Sequence, residues 1–265
     1  MLNNLLGGIF RYRSFIVDSI KRDFQSRYQS SFLGAIWLVL QPVAIIVVYT
    51  VIFAEFMCTR LVDMNGPFAY SIFLCSGILP WGLFTETLNN LVMVFITNAN
   101  ILKKMSFPRI CLLINIACSA LINFLIIFSI FVLFLVFSGN FPGWIIVQMI
   151  PVLVIQMIFT IGLGVIFGVM NVFVRDIEQF INILLQFWFW FTPIVYVSKT
   201  LPEMIRGFFK FNPMINIIIS YQNIFLYHIS PDWKRLLPIT IISLVLIIIG
   251  WRMFKKHSAD IVDEL

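Results

Sequence analysis

Stretches free of Asp, Glu, Lys and Arg run over 28–54, 64–85, 87–102, 110–174, 179–198, 211–231 and 236–251. A bilayer crossing needs about 20 mostly apolar residues, and most of these runs are long enough. The 110–174 run is too long for one helix. Ser138-Gly139-Asn140-Phe141-Pro142-Gly143 supplies turn chemistry near its middle, which predicts two helices joined by a hairpin. Glu86 alone divides 64–85 from 87–102, and Pro80 bends a membrane helix without ending it, so these runs merge into one span. The pattern predicts six spans over about 32–56, 68–96, 110–137, 144–170, 178–197 and 236–254. The 211–231 run carries Asn212, Pro213, Asn216, Gln222, Asn223 and His228. These are costly against lipid, which predicts a re-entrant segment over about 200–230 that is covered by protein.

Composition agrees with lipid as the main solvent: 61% of the 265 residues are hydrophobic and 11% charged, against about a quarter charged in soluble domains. Ahead of the first span, Ile16, Val17, Ile20, Phe24 and Tyr28 recur at helical spacing, with Lys21, Arg22, Gln25, Ser26 and Gln29 opposite. Residues 1–31 are therefore expected to form an amphipathic cytoplasmic helix in the interface plane, preceding a single transmembrane domain over 32–265. That helix reads either as a lipid anchor or as a docking surface for a cytosolic partner. The segment has no apolar core ahead of a small-residue cleavage site and so does not read as a signal peptide. Six spans put both termini on one side. Twelve of the eighteen basic residues fall on the termini and the second and fourth connections, which predicts that this side is cytoplasmic. The net charge of +6 follows from this topology and gives no support to nucleic-acid binding.

Several chemistries find no residues to carry them. Cys58, Cys75, Cys111 and Cys118 form no C-x-x-C pair, so no disulfide is expected, and His228 and His257 lack ligand-like spacing for a metal. No Gly-Lys dipeptide occurs, which excludes a G-x-x-x-x-G-K-[ST] phosphate loop and places any nucleotide chemistry on another subunit. Ion coupling is also weakly supported. Only Glu55 and Glu86 come near a span, and each can sit at a helix end or interface.

Ordered blocks run nearly end to end: Arg22-Asp23-Phe24, Arg27-Tyr28, Ser31-Phe32-Leu33-Gly34 with Trp37, Gln41-Pro42, Tyr70 and Gly77-Ile78-Leu79-Pro80-Trp81. Then come Asn98, Asn100-Ile101-Leu102, Phe107-Pro108-Arg109, Asn171 to Ile177, Phe189 to Tyr196, Leu201-Pro202 and Asn212-Pro213-Met214. In order and spacing the chain resembles the membrane (permease) subunits of type-2 ABC exporters for O-antigen, capsular polysaccharide and teichoic acid. It departs from them at Gln222, where Arg is usual after the tyrosine, and in a more acidic tail from His257 to Leu265.

The resemblance implies the type-2 ABC transporter fold: all-α and integral to the membrane, with six transmembrane helices, the interface helix and re-entrant gate helices before the last span. It implies a homodimer in the bacterial inner membrane, paired with two copies of a cytosolic ABC ATPase that binds ATP and Mg. This chain itself is then no enzyme and holds no cofactor. The implied substrate is an undecaprenyl-linked polysaccharide, with O-antigen the first choice, and its lipid pyrophosphate would enter past Arg11, Arg13 and Arg27. Rival readings are an exporter of drug or lipid, a membrane glycosyltransferase or polymerase, and a pore without an ATPase.

Coupling to the ATPase would fall to Arg22, Asp23, Arg27, Lys103, Lys104, Phe107, Arg109, Arg175 and Asp176. Positive-inside topology alone accounts for the basic loop 97–109, and a simple membrane stop accounts for Arg175-Asp176, so both readings stand. The substrate path would draw on Trp37, Tyr49 and Phe53 of span one and on Asn182, Gln186, Trp188, Phe189, Trp190 and Tyr196 of span five. Five successive aromatics, Phe187 to Phe191, point rings to every side of the fifth helix, where flat faces can grip sugar C–H faces and let them slide. An aromatic belt at the outer interface explains such rings equally. Asn182 and Gln186 share a face and would line a wet lumen or hydrogen-bond another helix. Gly162, Gly164 and Gly168 predict a close helix approach with an unspecified partner.

Overall fold

The computed structural model describes residues 18–22, 40, 43–44, 47–48, 68–104, 109–196, 212–258 and 260–264. Most of the first predicted span, most of the predicted N-terminal helix and the start of the predicted re-entrant segment lie outside the described residues. Within residues 18–22 the backbone is helical, with Ile20 half-buried and Lys21 and Arg22 exposed.

Seven α-helices and one 3-10 turn carry the described remainder: α1 (Ala69–Thr97), α2 (Ala99–Lys104), α3 (Ile110–Phe137), a 3-10 turn (Gly143–Gln148), α4 (Met149–Phe173), α5 (Ile177–Trp190), α6 (Pro213–Phe225) and α7 (Trp233–Lys256), followed by the short α8 (Asp260–Glu264). Among the described residues there is no strand. Among the described residues four stretches are long and apolar enough to cross a membrane: α1, α3, the 3-10 turn continued by α4, and α7. Their boundaries follow the uncharged runs, with α3 matching its predicted limits end to end. The hairpin between α3 and α4 turns at Gly139 and Gly143, whose φ angles of 73° and 63° belong to the left-handed region.

The fifth predicted span ends early. α5 stops at Trp190 rather than continuing to 197, and its 14 residues rise about 21 Å, short of a hydrocarbon core of about 30 Å. Thr192–Tyr196 form a turn instead. Pro193 cannot supply the amide that would continue the helix, and Asn212 reaches back to hydrogen-bond the last exposed carbonyl. α6, with 13 residues, is likewise too short to cross, yet Met214, Ile217, Ile218, Tyr221 and Ile224 on it are completely buried. Of the polar residues in the 211–231 run, Gln222 is buried, Asn212, Asn216 and Asn223 are half-buried and His228 is exposed.

α1 and α4 form the centre. α4 lies between α1 and α7, while α3, α5 and α6 pack around α1. Of the best apolar window in each helix, 72% is buried in α1 and 22% in α7, so α7 turns most of its apolar surface outward. Glycines set the spacing. A methyl group on Gly164 would lie 2.5 Å from Leu91 Cδ1, one on Gly168 2.5 Å from the Leu91 carbonyl oxygen, and one on Gly162 2.9 Å from the backbone of Ile247. The partners the sequence left unspecified are thus α1 for Gly164 and Gly168, and α7 for Gly162.

The helix ends sort by chemistry. Lys103, Arg109, Arg175, Arg252, Lys255 and Lys256 belong to one end, where Ile261 of α8 packs with Leu102, Phe95 and Leu112. At the other end Phe137, Phe141, Trp144, Trp190, Phe191, Tyr227 and Trp233 are all exposed, as in the ring belt found at membrane–water interfaces.

Candidate functional site

The blocks that are far apart in sequence converge around α5. Its start is fixed by Asn171, a completely buried side chain on the last turn of α4. The Asn171 amide nitrogen donates to the Val92 carbonyl of α1 at 3.1 Å, and its oxygen accepts the Glu178 backbone N–H at 3.1 Å. One side chain therefore ties three helices and satisfies an amide that the first turn of α5 cannot pair internally.

The end of α5 is fixed by a second asparagine. Asn212 Oδ1 accepts from Trp188 Nε1 at 2.7 Å and from the Met214 N–H at 3.0 Å. Its Nδ2 donates to the Phe191 carbonyl and to Thr192 Oγ1, each at 3.0 Å. Asn212 is at once the N-cap of α6, with Pro213 in the first helical position, and the C-terminal anchor of α5. The turn beyond is held as well: Gln222 Nε2 donates to the Pro193 carbonyl at 3.0 Å and Tyr70 Oη to the Val195 carbonyl at 3.1 Å. Every carbonyl in this list belongs to backbone left outside a regular helix, which in a bilayer must be satisfied by protein.

The aromatic run divides by face. Trp188 turns inward against Trp81, Phe84 and Phe159, with ring centroids 5.3–6.4 Å apart. Phe189 is half-buried and meets Trp81 edge-on at 5.8 Å. Phe187 and Trp190 are exposed, at 63% and 64%. Asn182 is half-buried and Gln186, one turn on, is exposed. Tyr196 is half-buried and donates to the Trp190 carbonyl at 2.6 Å. The geometry thus brings Trp188, Phe189 and Tyr196 into the packed end of α5 and leaves Asn182, Gln186 and Trp190 toward its open side. Trp37, Tyr49 and Phe53 lie outside the described residues.

At the basic end, Lys103, Arg175 and Asp176 are exposed, and Arg22 in the helical 18–22 segment is exposed as well. Arg109 is half-buried, and its buried Nη1 has no hydrogen-bond partner among the described residues. Asp23, Arg27 and Phe107 lie outside the described residues, as do Arg11, Arg13 and the Lys104 side chain.

One polar contact escaped the sequence reading. Glu86 was allowed a helix end or interface, but it stands near the middle of α1, where Asn123 of α3 donates to its Oε2 at 2.8 Å. The signal was present as the one acidic residue in a merged span, opposite an amide of the next span. An ionisable group at that depth is expected to face protein or water rather than lipid.

Spanning apolar helices, interior polar side chains and two short helices held by amide anchors define a multi-pass membrane protein built around a protein-lined interior. The chain belongs to the ABC-2 type transporter family, whose membrane-domain model matches residues 16–226. Among curated relatives, the O-antigen export system permease protein RfbA of Klebsiella pneumoniae is 31% identical over 95% of this chain and 93% of its own length. The protein of the same name from Myxococcus xanthus is 28% identical over 98% and 99%. The polysialic acid transport protein KpsM of Escherichia coli is 21% identical over 89% and 91%.

Proposed function

We propose that this chain is the permease subunit of an ATP-driven exporter that moves a lipid-linked polysaccharide, of the O-antigen class, across the bacterial inner membrane. The observation that carries this reading is the likeness, over almost the whole length of both chains, to O-antigen export permeases at 28–31% identity. The E. coli capsule-type relative is more distant, at 21%.

In this reading the chain acts as a homodimer of six-span subunits with both termini in the cytoplasm. It joins two copies of a cytosolic ATPase that binds ATP and Mg, and α5 and α6 form the broken segments near the outer face. The basic end faces the cytoplasm, in keeping with the positive-inside rule. Arg22, Lys103, Arg109 and the Arg175-Asp176 pair supply charged contacts to the ATPase there, and exposed cationic side chains suit an acidic partner surface. Asn182, Gln186 and Trp190 offer hydroxyl-bonding groups and a ring face on the open side of α5 to a passing sugar.

Deleting the gene tests the reading. Surface polysaccharide should disappear while lipid-linked chains accumulate inside the cell, and an ATP-binding protein should copurify with the tagged chain in mild detergent. Unchanged surface polysaccharide overturns it.

A further inference from the structure

α6 is buried on every side but one. Asn216, Ile219 and Asn223 recur at i, i+3 and i+7 and are its half-buried stripe, with Ser220 beside them. Asp232, the N-cap of α7, and Arg235 in its first turn line, together with this stripe, a half-open pocket of about 230 Å³. Clefts that enclose a drug-sized ligand hold roughly 300–1,000 Å³, so this one suits a single small unit.

Four amides packed between segments are engaged. Gln156, Asn171, Asn212 and Gln222 each donate to a backbone carbonyl of another segment. The side chains of Asn216 and Asn223 bond to nothing among the described residues, although the backbone around them is fixed. Ser220 Oγ donates to the Asn216 carbonyl at 2.6 Å, and the Ile229 N–H donates to the Asn223 carbonyl at 3.0 Å. Two rigidly placed amides thus present donors and acceptors to the cavity, with Ile219 as an apolar wall between them.

Charge narrows the ligand. Arg235 Nε lies 3.0 Å from Asp232 Oδ2, so the lining holds one positive and one negative charge and no net charge to favour an anion. A neutral ligand rich in hydroxyls, each both donor and acceptor, matches the set of amide, carboxylate and guanidinium groups. A sugar ring adds a C–H face for Ile219. The pocket opens at the end of the molecule that bears Tyr227 and Trp233, opposite the basic end.

We propose that this pocket is a carbohydrate subsite in which Asn216 and Asn223 hold one sugar unit of the exported chain at the outer mouth of the permease. The assignment of the ligand to the exported chain rests on the polysaccharide-export reading; the pocket chemistry does not.

The full-length protein in nanodiscs, examined by saturation-transfer difference NMR with methyl glycosides of glucose, galactose, mannose and rhamnose, tests the site. At least one glycoside should bind saturably, glycerol should not, and inorganic phosphate should not displace it. Asn216→Leu with Asn223→Leu should weaken binding at least tenfold while the unfolding midpoint holds; if that pair fails to fold, Asn216→Ala alone takes its place with the same expected direction. Absence of saturable binding by every glycoside, displacement by phosphate, or undiminished binding in the folded variant overturns the proposal. Cells separate the two ideas. If gene deletion leaves surface polysaccharide intact, the export reading fails; if deletion removes it but the double variant exports at the wild-type rate, the exit subsite fails alone.

Discussion

The contact of α4 with α1 and the junction of α5 with α6 solve the same problem by opposite means. Along α4, Gly164 and Gly168 bring the Leu91 turn so near that no methyl group fits, and stability there comes from shape. At the other junction the helices are short and broken, and Asn212, Gln222 and Tyr70 satisfy the carbonyls that the breaks expose. Continuous helices in lipid can be joined by close packing because their backbone is already paired. Interrupted ones need polar side chains of their own.

Substitutions separate these two modes. The largest effect is expected for Asn212→Leu, which leaves the Trp188 and Met214 N–H groups and the Phe191 carbonyl without their partner. At about 1 kcal/mol net for each hydrogen bond lost, the loss should be about 3 kcal/mol in denaturant titrations in micelles. Next comes Gly168→Ala. Its methyl group would collide with a backbone carbonyl rather than a movable side chain, which should cost about 2 kcal/mol by the same measurement despite the better helix propensity of alanine.

Smaller still is Glu86→Leu, which removes the acceptor for Asn123 and should cost about 1 kcal/mol, whereas Glu86→Gln keeps an acceptor oxygen and should be near neutral. Equal effects from the two would mean that the carboxylate charge, not the hydrogen bond, matters. Gly82→Ala provides the limit of the series. Nothing among the described residues lies within 4 Å of the added methyl group, so stability should hold or rise by up to about 1 kcal/mol. A clear loss there would show that helix spacing is not what makes the glycines of α4 sensitive.

The sequence made the continuous helices legible and the broken ones only in part. An uncharged run reports directly how far a helix can go in lipid, which is why α3 agrees at both ends and α1 to within a residue. α5 runs long in the sequence reading because hydropathy registers the largely apolar Phe191 to Val195 and not the asparagine 21 residues after Phe191 that takes hold of its carbonyl. The run Phe187 to Phe191 showed that rings point everywhere; only packing against Trp81, Phe84 and Phe159 shows that Trp188 is the one turned inward. The Asn212-Pro213 pair did carry a readable sign, an N-cap followed by proline, of a helix starting inside the 211–231 run.

The two asparagines also make α5 a mechanical part. With one tip fastened to Asn171 and the other to Asn212, this rod of about 21 Å cannot slide along its axis without parting from an anchor or dragging it along. A displacement imposed beside Arg175 and Asp176 must therefore reappear, little diminished, at the turn that holds Pro193 and Tyr196.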